Sequence, residues 1–221
     1  MSLDYPDALP AATIDFAAEA DHRIANHLTI ILGFCRLQAR ALRRDTASLT
    51  GAEAGAILEG IGAKVQAISL LHRRLARSEV NAAFPLRDYL SELLTGITAA
   101  LADGTRVEFE ALGDRACLVD ANRSVTIGLI VCELVTNAIK HAHPTGVAGR
   151  LWVRCGGEGC VVVEVEDDGV GLPEGFDPKT ASSLGFTTMR AMVGQLDATL
   201  DFRNTGLGVV ARLQVPAATS Q

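Results

Sequence analysis

The feature that most constrains the fold is a proline-free stretch of chain between Pro10 and Pro85. Proline is rarely tolerated inside a helix, and apolar residues recur in this stretch at steps of three and four, the spacing of one helix face. The pattern predicts two long helices, over residues 9–45 and 51–79. A polar turn between them makes the segment an αα-hairpin.

Such a hairpin has too little mass to bury the apolar faces of both of its helices. Pairing with a second copy would cover them, because two hairpins together form a four-helix bundle. We therefore expect a homodimer in which residues 9–80 form the dimerisation unit.

The second part of the chain, residues 85–217, has a mixed pattern of helix and strand. Helical periodicity predicts helices over 86–102, 121–142 and 185–196. Alternating and β-branched runs predict strands over 106–112, 116–120, 150–155, 160–167, 198–202 and 209–215. The expected fold class is α + α/β, a helical hairpin followed by an α/β sandwich.

Composition excludes several classes of protein. Apolar runs stay far below the roughly 20 residues of a bilayer span, and the N-terminus lacks the pattern of a secretory signal. The five cysteines show no metal-ligand spacing, which predicts reduced thiols in the cytoplasm. A net charge of −6 argues against nucleic-acid binding, and the basic cluster at 71–77 is interpreted as a solvated helix face.

The first chemically suggestive segment is "CELVTNAIKHAH" at 132–143. Glu133, Asn137 and His141 recur every four residues, which predicts that they share one helix face, with Lys140 beside them. Carboxylate and amide oxygens suit Mg²⁺, and lysine offers a point charge to phosphate. The alternative is a solvated polar face on an amphipathic helix.

The second and third segments place glycines at the ends of predicted elements. In "VEVEDDGVGLPEG", Asp167 ends a strand and can accept a hydrogen bond from the amine of a base, while Gly169 and Gly171 let the backbone approach a ligand. In "SSLGF", Gly185 opens a helix whose free N–H groups can bind phosphate. An ordinary turn and an ordinary helix start are the alternatives.

In order and spacing, "ELVTNAIKH", "DDGVG" and "SLGFTTMRAMV" resemble the N-box, G1 box and G2 box of the GHKL (Bergerat) ATP-binding fold. The resemblance implies ATP and Mg²⁺ as cofactors. It implies that Glu133 orients the reacting group, Asn137 binds Mg²⁺ and Asp167 binds the adenine amine. It further implies a lid over residues 172–184 and a nucleotide site completed by Lys140, His141, Gly169, Gly171 and Gly185.

The hairpin has a resemblance of its own. "HRIANHL" at 22–28 resembles the H-R-x-x-N acceptor helix of HWE-related sensor histidine kinases, and residues 67–79 resemble the second helix of that class. His22 is predicted to project away from the apolar stripe of its helix. The resemblance implies that His22 is the phosphoacceptor and that Asn26 orients a water for dephosphorylating a partner, whereas we interpret His27 as a polar helix residue.

The expected function is that of a cytoplasmic, homodimeric two-component histidine kinase. It would phosphorylate itself on His22 from Mg·ATP and pass the phosphoryl group to an aspartate of a response-regulator receiver domain. Only about 20 residues precede His22, so a separate sensor or input protein is expected to supply the signal. The alternative is a histidine phosphotransferase that relays phosphate between receivers without using ATP. Gly208 is followed by Val209 where the kinase class usually has Gly-Thr, and this departure bears on lid closure and phosphate affinity.

Overall fold

The computed structural model of the chain describes residues 50–75, 84–101, 105–112, 117–145, 147–181 and 183–217, with scattered positions between Ala25 and Arg43. His22, Asn26 and His27 lie outside the described residues. All described positions between Ala25 and Arg43 are helical, in agreement with the first predicted helix. The predicted boundary between the two units falls at residues 80–85, of which only the last two are described.

Four helices and seven strands follow from Thr50 onward in the part of the chain that the structure describes. The helices are α1 (Gly51–Leu75), α2 (Leu86–Leu101), α3 (Ala121–His141) and α4 (Leu184–Gln195). The strands are β1 (Phe84–Pro85), β2 (Arg106–Leu112), β3 (Leu118–Val119), β4 (Arg150–Gly156), β5 (Cys160–Asp167), β6 (Thr199–Asn204) and β7 (Val209–Pro216). The predicted fold class, a helical part followed by a mixed α/β unit, is confirmed.

Two short strands differ from the prediction. The strand expected over 116–120 shortens to β3, and its partner β1 was not predicted at all. The two pair antiparallel, with Phe84 opposite Val119. A strand of two residues is too short to show alternation, so its pairing is set by the tertiary contact and not by a local pattern.

The main sheet has five strands in the order β2-β4-β5-β7-β6. Strands β2 and β4 run parallel, and all other neighbours are antiparallel. A parallel pair needs a long crossover, and α3 lies in that crossover. Buried residues of α3, β4, β5 and β7 share one hydrophobic core, which places α3 against the apolar face of the sheet.

The opposite face of the sheet is charged. Arg154 bonds Glu110 at 2.9 Å and Glu166 at 2.5 Å across three neighbouring strands, and Arg212 bonds Glu164 at 2.5 Å. Opposite charges on facing strands stabilise the pairing. This face is therefore suited to water, and the buried face alone carries the core.

Helix α1, the second helix of the predicted hairpin, packs directly on α3. Ala67 and Leu71 of α1 are fully buried. Tyr89 of α2 joins the same interface, and its hydroxyl donates to the Ala67 carbonyl at 3.2 Å. A Cβ at Gly128 of α3 would overlap the Tyr89 ring, so only glycine lets the ring lie this close to α3. The core of the α/β unit thus extends into the hairpin.

No described helix combines the length and the apolar character needed to cross a membrane. All five cysteines are free thiols, and Cys117, Cys132 and Cys155 are buried. Burial raises the pKa of the Cys132 thiol to about 12. A thiol of that pKa is protonated near neutral pH and behaves as a small apolar group.

Candidate nucleotide-binding site

A cavity of about 490 Å³ lies between the C-terminal half of α3, the loop after β5, the start of α4 and strands β6 and β7. It is lined by Leu134, Asn137, Ala138, His141, Ala142, Val165, Asp167, Val170, Gly171, Leu172, Pro173, Phe176, Ser183, Phe186, Phe202, Val209 and Ala211. A mostly apolar wall with a few polar groups at fixed places is typical of a small-molecule site, and the volume falls in the usual range.

Asp167 is the carboxylate of this cavity. It is 8% exposed, and its Oδ1 accepts hydrogen bonds from the backbone N–H groups of Gly169 at 3.0 Å and Val209 at 3.3 Å. Burial raises the pKa of Asp167 above its ordinary value, although the two backbone hydrogen bonds act in the opposite direction. Because the backbone holds Oδ1, the other oxygen remains available to accept from a ligand.

Two glycines are required beside Asp167. A Cβ at Gly169 would overlap the carbonyl of Ala142, just after the end of α3. Gly208 has φ +105°, and a Cβ there would overlap the carbonyl of Asp167. Gly169 therefore lets the β5 loop pack against α3, while Gly171 lies on the cavity wall with φ +80°.

The structure brings only part of the predicted α3 set into the cavity. Asn137 and His141 line it, one helical turn apart. Lys140 is exposed on the same helix, outside the lining residues. Glu133 is 8% exposed and faces α1, where its Oε1 lies 2.5 Å from the Nζ of Lys64. The sequence did not point to Lys64, although a lysine among the apolar positions Ala63, Ala67 and Leu71 is a signal of a buried charge.

The start of α4 completes the polar end of the site. Ser183 precedes the helix and lines the cavity, and its side chain makes no capping hydrogen bond. A Cβ at Gly185 would lie 3.4 Å from Oε2 of Glu133, so this glycine sits against the carboxylate. N–H groups of the first helical turn lack intrahelical partners and attract anions.

Three phenylalanines form the apolar end of the cavity, and the motif analysis singled out none of them. The ring of Phe186, next to Gly185, lies edge-on to Phe176 at 5.5 Å and to Phe202 at 5.7 Å. All three line the cavity. Phe176 belongs to the predicted lid, where Arg190 of α4 donates to the Pro178 carbonyl at 3.1 Å. Flat aromatic and aliphatic surfaces of this kind suit a planar base.

A second unpredicted contact joins His143 to Asp168 behind the cavity. The His143 Nε2 lies 2.8 Å from Asp168 Oδ1, which also accepts from the Arg150 backbone N–H at 2.8 Å. Burial alone would raise the pKa of Asp168, but the hydrogen bonds from Arg150 and His143 hold it below the ordinary value. The contact ties the chain after α3 to β4 and to the β5 loop.

The lowered pKa of Asp168 predicts a pH-dependent loss of stability in the Asp168→Asn variant. A carboxylate whose pKa is lower in the folded chain stabilises the fold at any pH above its pKa in the unfolded chain, which is about 3.9. This contribution disappears as the pH falls through the lowered pKa of the folded chain. At pH 7 we expect the free energy of unfolding to fall by about 0.5–1 kcal/mol, because the carboxylate is partly solvated. Urea unfolding at pH 7 and at pH 2.5 checks this, and an equal loss at both pH values would contradict it.

The residues of the cavity fit a purine nucleotide and a metal that the nucleotide helps to hold. The aromatic wall and the single buried carboxylate suit a flat base with an amino group. In the described part of the chain no group of three or more His, Cys, Asp or Glu side chains could hold a metal ion alone. Magnesium commonly takes one or two protein oxygens and completes its shell with phosphates and water, and Asn137 carries a side-chain oxygen of that type on the cavity wall.

Comparison with known domain families gives two matches. Residues 19–101 match the HisKA_2 family, described as a histidine kinase domain. Residues 122–219 match HATPase_c, described as histidine kinase-, DNA gyrase B- and HSP90-like ATPase. The second match implies ATP binding, and its range contains the whole cavity.

Curated relatives extend the similarity across most of the chain. The sensor histidine kinase PdtaS of Mycobacterium tuberculosis is 32% identical over 203 residues, which are 89% of this chain and 39% of that protein. Blue-light-activated histidine kinase 2 of Erythrobacter litoralis is 30% identical over 207 residues, 90% of this chain and 56% of that protein. The chain thus spans between two fifths and just over half of the length of these relatives.

Among solved structures, the histidine kinase domain of the Erythrobacter litoralis blue-light-activated histidine kinase EL346 has a similar fold. It superposes with a TM-score of 0.67 at 25% identity. The superposition covers 91% of this chain and 94% of that domain. The likeness therefore includes the helical part as well as the α/β unit.

Proposed function

Because the chain belongs to the histidine kinases, with a HisKA_2 domain followed by a HATPase_c domain, we propose that it is the kinase of a two-component system. It takes the γ-phosphoryl group of Mg·ATP onto His22 and passes it to an aspartate of a response-regulator receiver domain. The observation that carries the proposal is the cavity in which Asn137 and Asp167 face the same apolar space.

Recognition of the nucleotide divides between the two ends of the cavity. At the apolar end, the phenylalanine cluster contacts the base and the free oxygen of Asp167 accepts from the adenine amine. At the polar end, Asn137 would hold the metal, and His141 and Lys140 would face the phosphates. Magnesium, when bound, neutralises phosphate charge and orients the group to be transferred.

The reaction needs little covalent chemistry from the ATP-binding domain. A neutral imidazole of His22 supplies a nitrogen lone pair, a P–N bond forms, and the bond from the γ-phosphorus to the departing ADP oxygen breaks. Glu133 orients the reacting group. In the second step a receiver carboxylate forms a P–O bond as the P–N bond breaks, and Asn26 positions water when the partner is dephosphorylated.

Exposed apolar residues on the helical part support a homodimer. Leu28 and Leu32 of the first helix are 56% and 47% exposed, and Leu58 and Val65 of α1 are 68% and 42% exposed. A second copy of the hairpin would cover these side chains in a four-helix bundle. Sedimentation equilibrium tests this, and a monomeric mass at micromolar concentration would contradict it.

We place the kinase in the cytoplasm, where reduced thiols and ATP are available.

The alternative, a phosphotransferase that does not use ATP, gains no support from the relatives, which are described as histidine kinases. Calorimetric titration with Mg·ATP and Mg·ADP separates the two functions. The kinase proposal expects saturable binding of both nucleotides. Absence of binding, together with phosphate uptake from a phosphorylated receiver domain, would overturn it in favour of the relay.

A further inference from the structure

The ion pair between Lys64 of α1 and Glu133 of α3 lies inside a packed helix interface. The Nζ–Oε1 distance is 2.5 Å, and the two side chains are 9% and 11% exposed. Lys64 Nζ also donates to the Gly60 carbonyl at 3.1 Å. The neighbouring Ala63 and Ala67 are buried, which leaves water little access to the pair.

Glu133 connects this interface to the polar end of the nucleotide cavity. It stands one helical turn before Asn137, which lines the cavity. While Oε1 faces Lys64, Oε2 faces the first turn of α4 at Gly185. The carboxylate therefore lies between the ammonium group of α1 and the first turn of α4.

A buried carboxylate depends strongly on its partner. Isolated charges are unfavourable in a protein interior, and removing one member of a buried pair leaves the other uncompensated. Without the ammonium group, Glu133 would have to turn toward solvent, and it would leave the position it holds beside Gly185. Lys64 thus fixes the place of this side chain.

We propose that Lys64 is a positioning residue of the kinase reaction: from the phosphoacceptor hairpin it holds the Glu133 carboxylate between α1 and the first turn of α4, beside the polar end of the nucleotide cavity. The inference rests on the proposed function, and it adds that Glu133 is held in place for the reaction only while α1 is docked on α3. The position of the hairpin and the competence of the nucleotide site are therefore coupled through one ion pair.

The test compares Lys64→Met, which keeps the length of the side chain, with Lys64→Arg, which keeps the charge. Initial rates of phosphohistidine formation over a range of Mg·ATP concentrations give kcat and KM. We expect Lys64→Met to lower kcat by about tenfold to a hundredfold, with KM changed by less than about threefold. Lys64→Arg should keep kcat within about threefold of wild type. Arg73→Met removes a positive charge from an exposed site on the same helix and should leave both constants unchanged.

A double variant shows whether Lys64 acts through Glu133. In a Glu133→Gln background, Lys64→Met should change kcat by less than about twofold, because the two residues act as a unit. The double variant leaves no unpaired buried charge, so it keeps the test valid if Lys64→Met unfolds. Urea unfolding and Mg·ADP binding by each variant identify loss of folding.

Several results would overturn the inference: a kcat of Lys64→Met equal to or above that of wild type, an equal fall in the Glu133→Gln background, or no rescue by Lys64→Arg. A wild-type chain that forms no phosphohistidine would overturn the proposed function and this inference together. A wild-type chain that forms it, with Lys64→Met unaffected, would overturn the inference alone.

Discussion

The Asp167→Asn variant is expected to bind Mg·ADP about 10–150-fold more weakly than wild type. This factor corresponds to the loss of one hydrogen bond to a charged acceptor, which is worth about 1.5–3 kcal/mol. The backbone N–H groups of Gly169 and Val209 both point at Oδ1. The amide oxygen of the variant must take that place, so its NH₂ group faces the cavity. A donor then meets the adenine amine, which is also a donor. Calorimetry measures the affinity.

The same variant is not expected to lose stability at pH 7. Because burial raises the pKa of Asp167, the folded chain holds this proton more tightly than the unfolded chain. Stability therefore falls as the pH rises from below about 3.9 through the raised pKa. Asparagine removes the charge that opposes folding, so urea unfolding at pH 7 should show equal or higher stability.

Asp168→Asn is the matched control for both measurements. Its carboxylate faces His143 and lies outside the cavity lining. That variant should bind Mg·ADP within about threefold of wild type while losing stability at pH 7. If Asp167→Asn bound nucleotide as wild type does, Asp167 would not be the base-recognition residue. If it lost as much stability as Asp168→Asn, the charge of Asp167 would not oppose folding.

The Asn137→Ala variant is expected to phosphorylate itself about 10²–10³-fold more slowly than wild type. A decrease of this size is usual when a group that stabilises charge in the transition state is removed. Asn137 carries the one side-chain amide among the described residues that line the cavity. Under the proposed function, the metal would lose its protein ligand together with the oxygen of that amide. Nucleotide binding should then gain nothing from added Mg²⁺, which titrations with and without the metal measure.

The control for this substitution is Asn122→Ala. Asn122 lies in the first turn of the same helix and is exposed. Its side chain is outside the cavity lining, so rate and metal dependence should remain those of wild type. Persistence of magnesium-dependent binding in Asn137→Ala would mean that another group holds the metal.

Sequence patterns predicted the elements that build the site, because α3 and β5 are long enough to show their periodicity. They also predicted that Asp167 ends a strand and that Asn137 and His141 share a helix face, as the structure has them. They placed Glu133 on that face too. Glu133 and His141 are eight residues apart, and at about 100° per residue that separation leaves their side chains about 80° apart around the helix axis. Glu133 therefore faces α1 while His141 faces the cavity. The role assigned to Glu133 stays a prediction.

The contacts that sequence could not supply join residues from distant parts of the chain. Lys64 meets Glu133, and His143 meets Asp168, only because helices and strands pack in a particular way. No local pattern encodes such pairs, although Lys64 on an apolar stripe indicates a buried charge in need of a partner. The phenylalanine cluster likewise gathers residues from a loop, a helix and a strand.

The most direct test of the kinase account is phosphorylation by radiolabelled Mg·ATP of the wild-type chain and of the His22→Ala and His27→Ala variants. We expect label that is labile to acid and stable to alkali on the wild type and on His27→Ala, and none on His22→Ala. An unlabelled wild type, or equal label on His22→Ala, would contradict it.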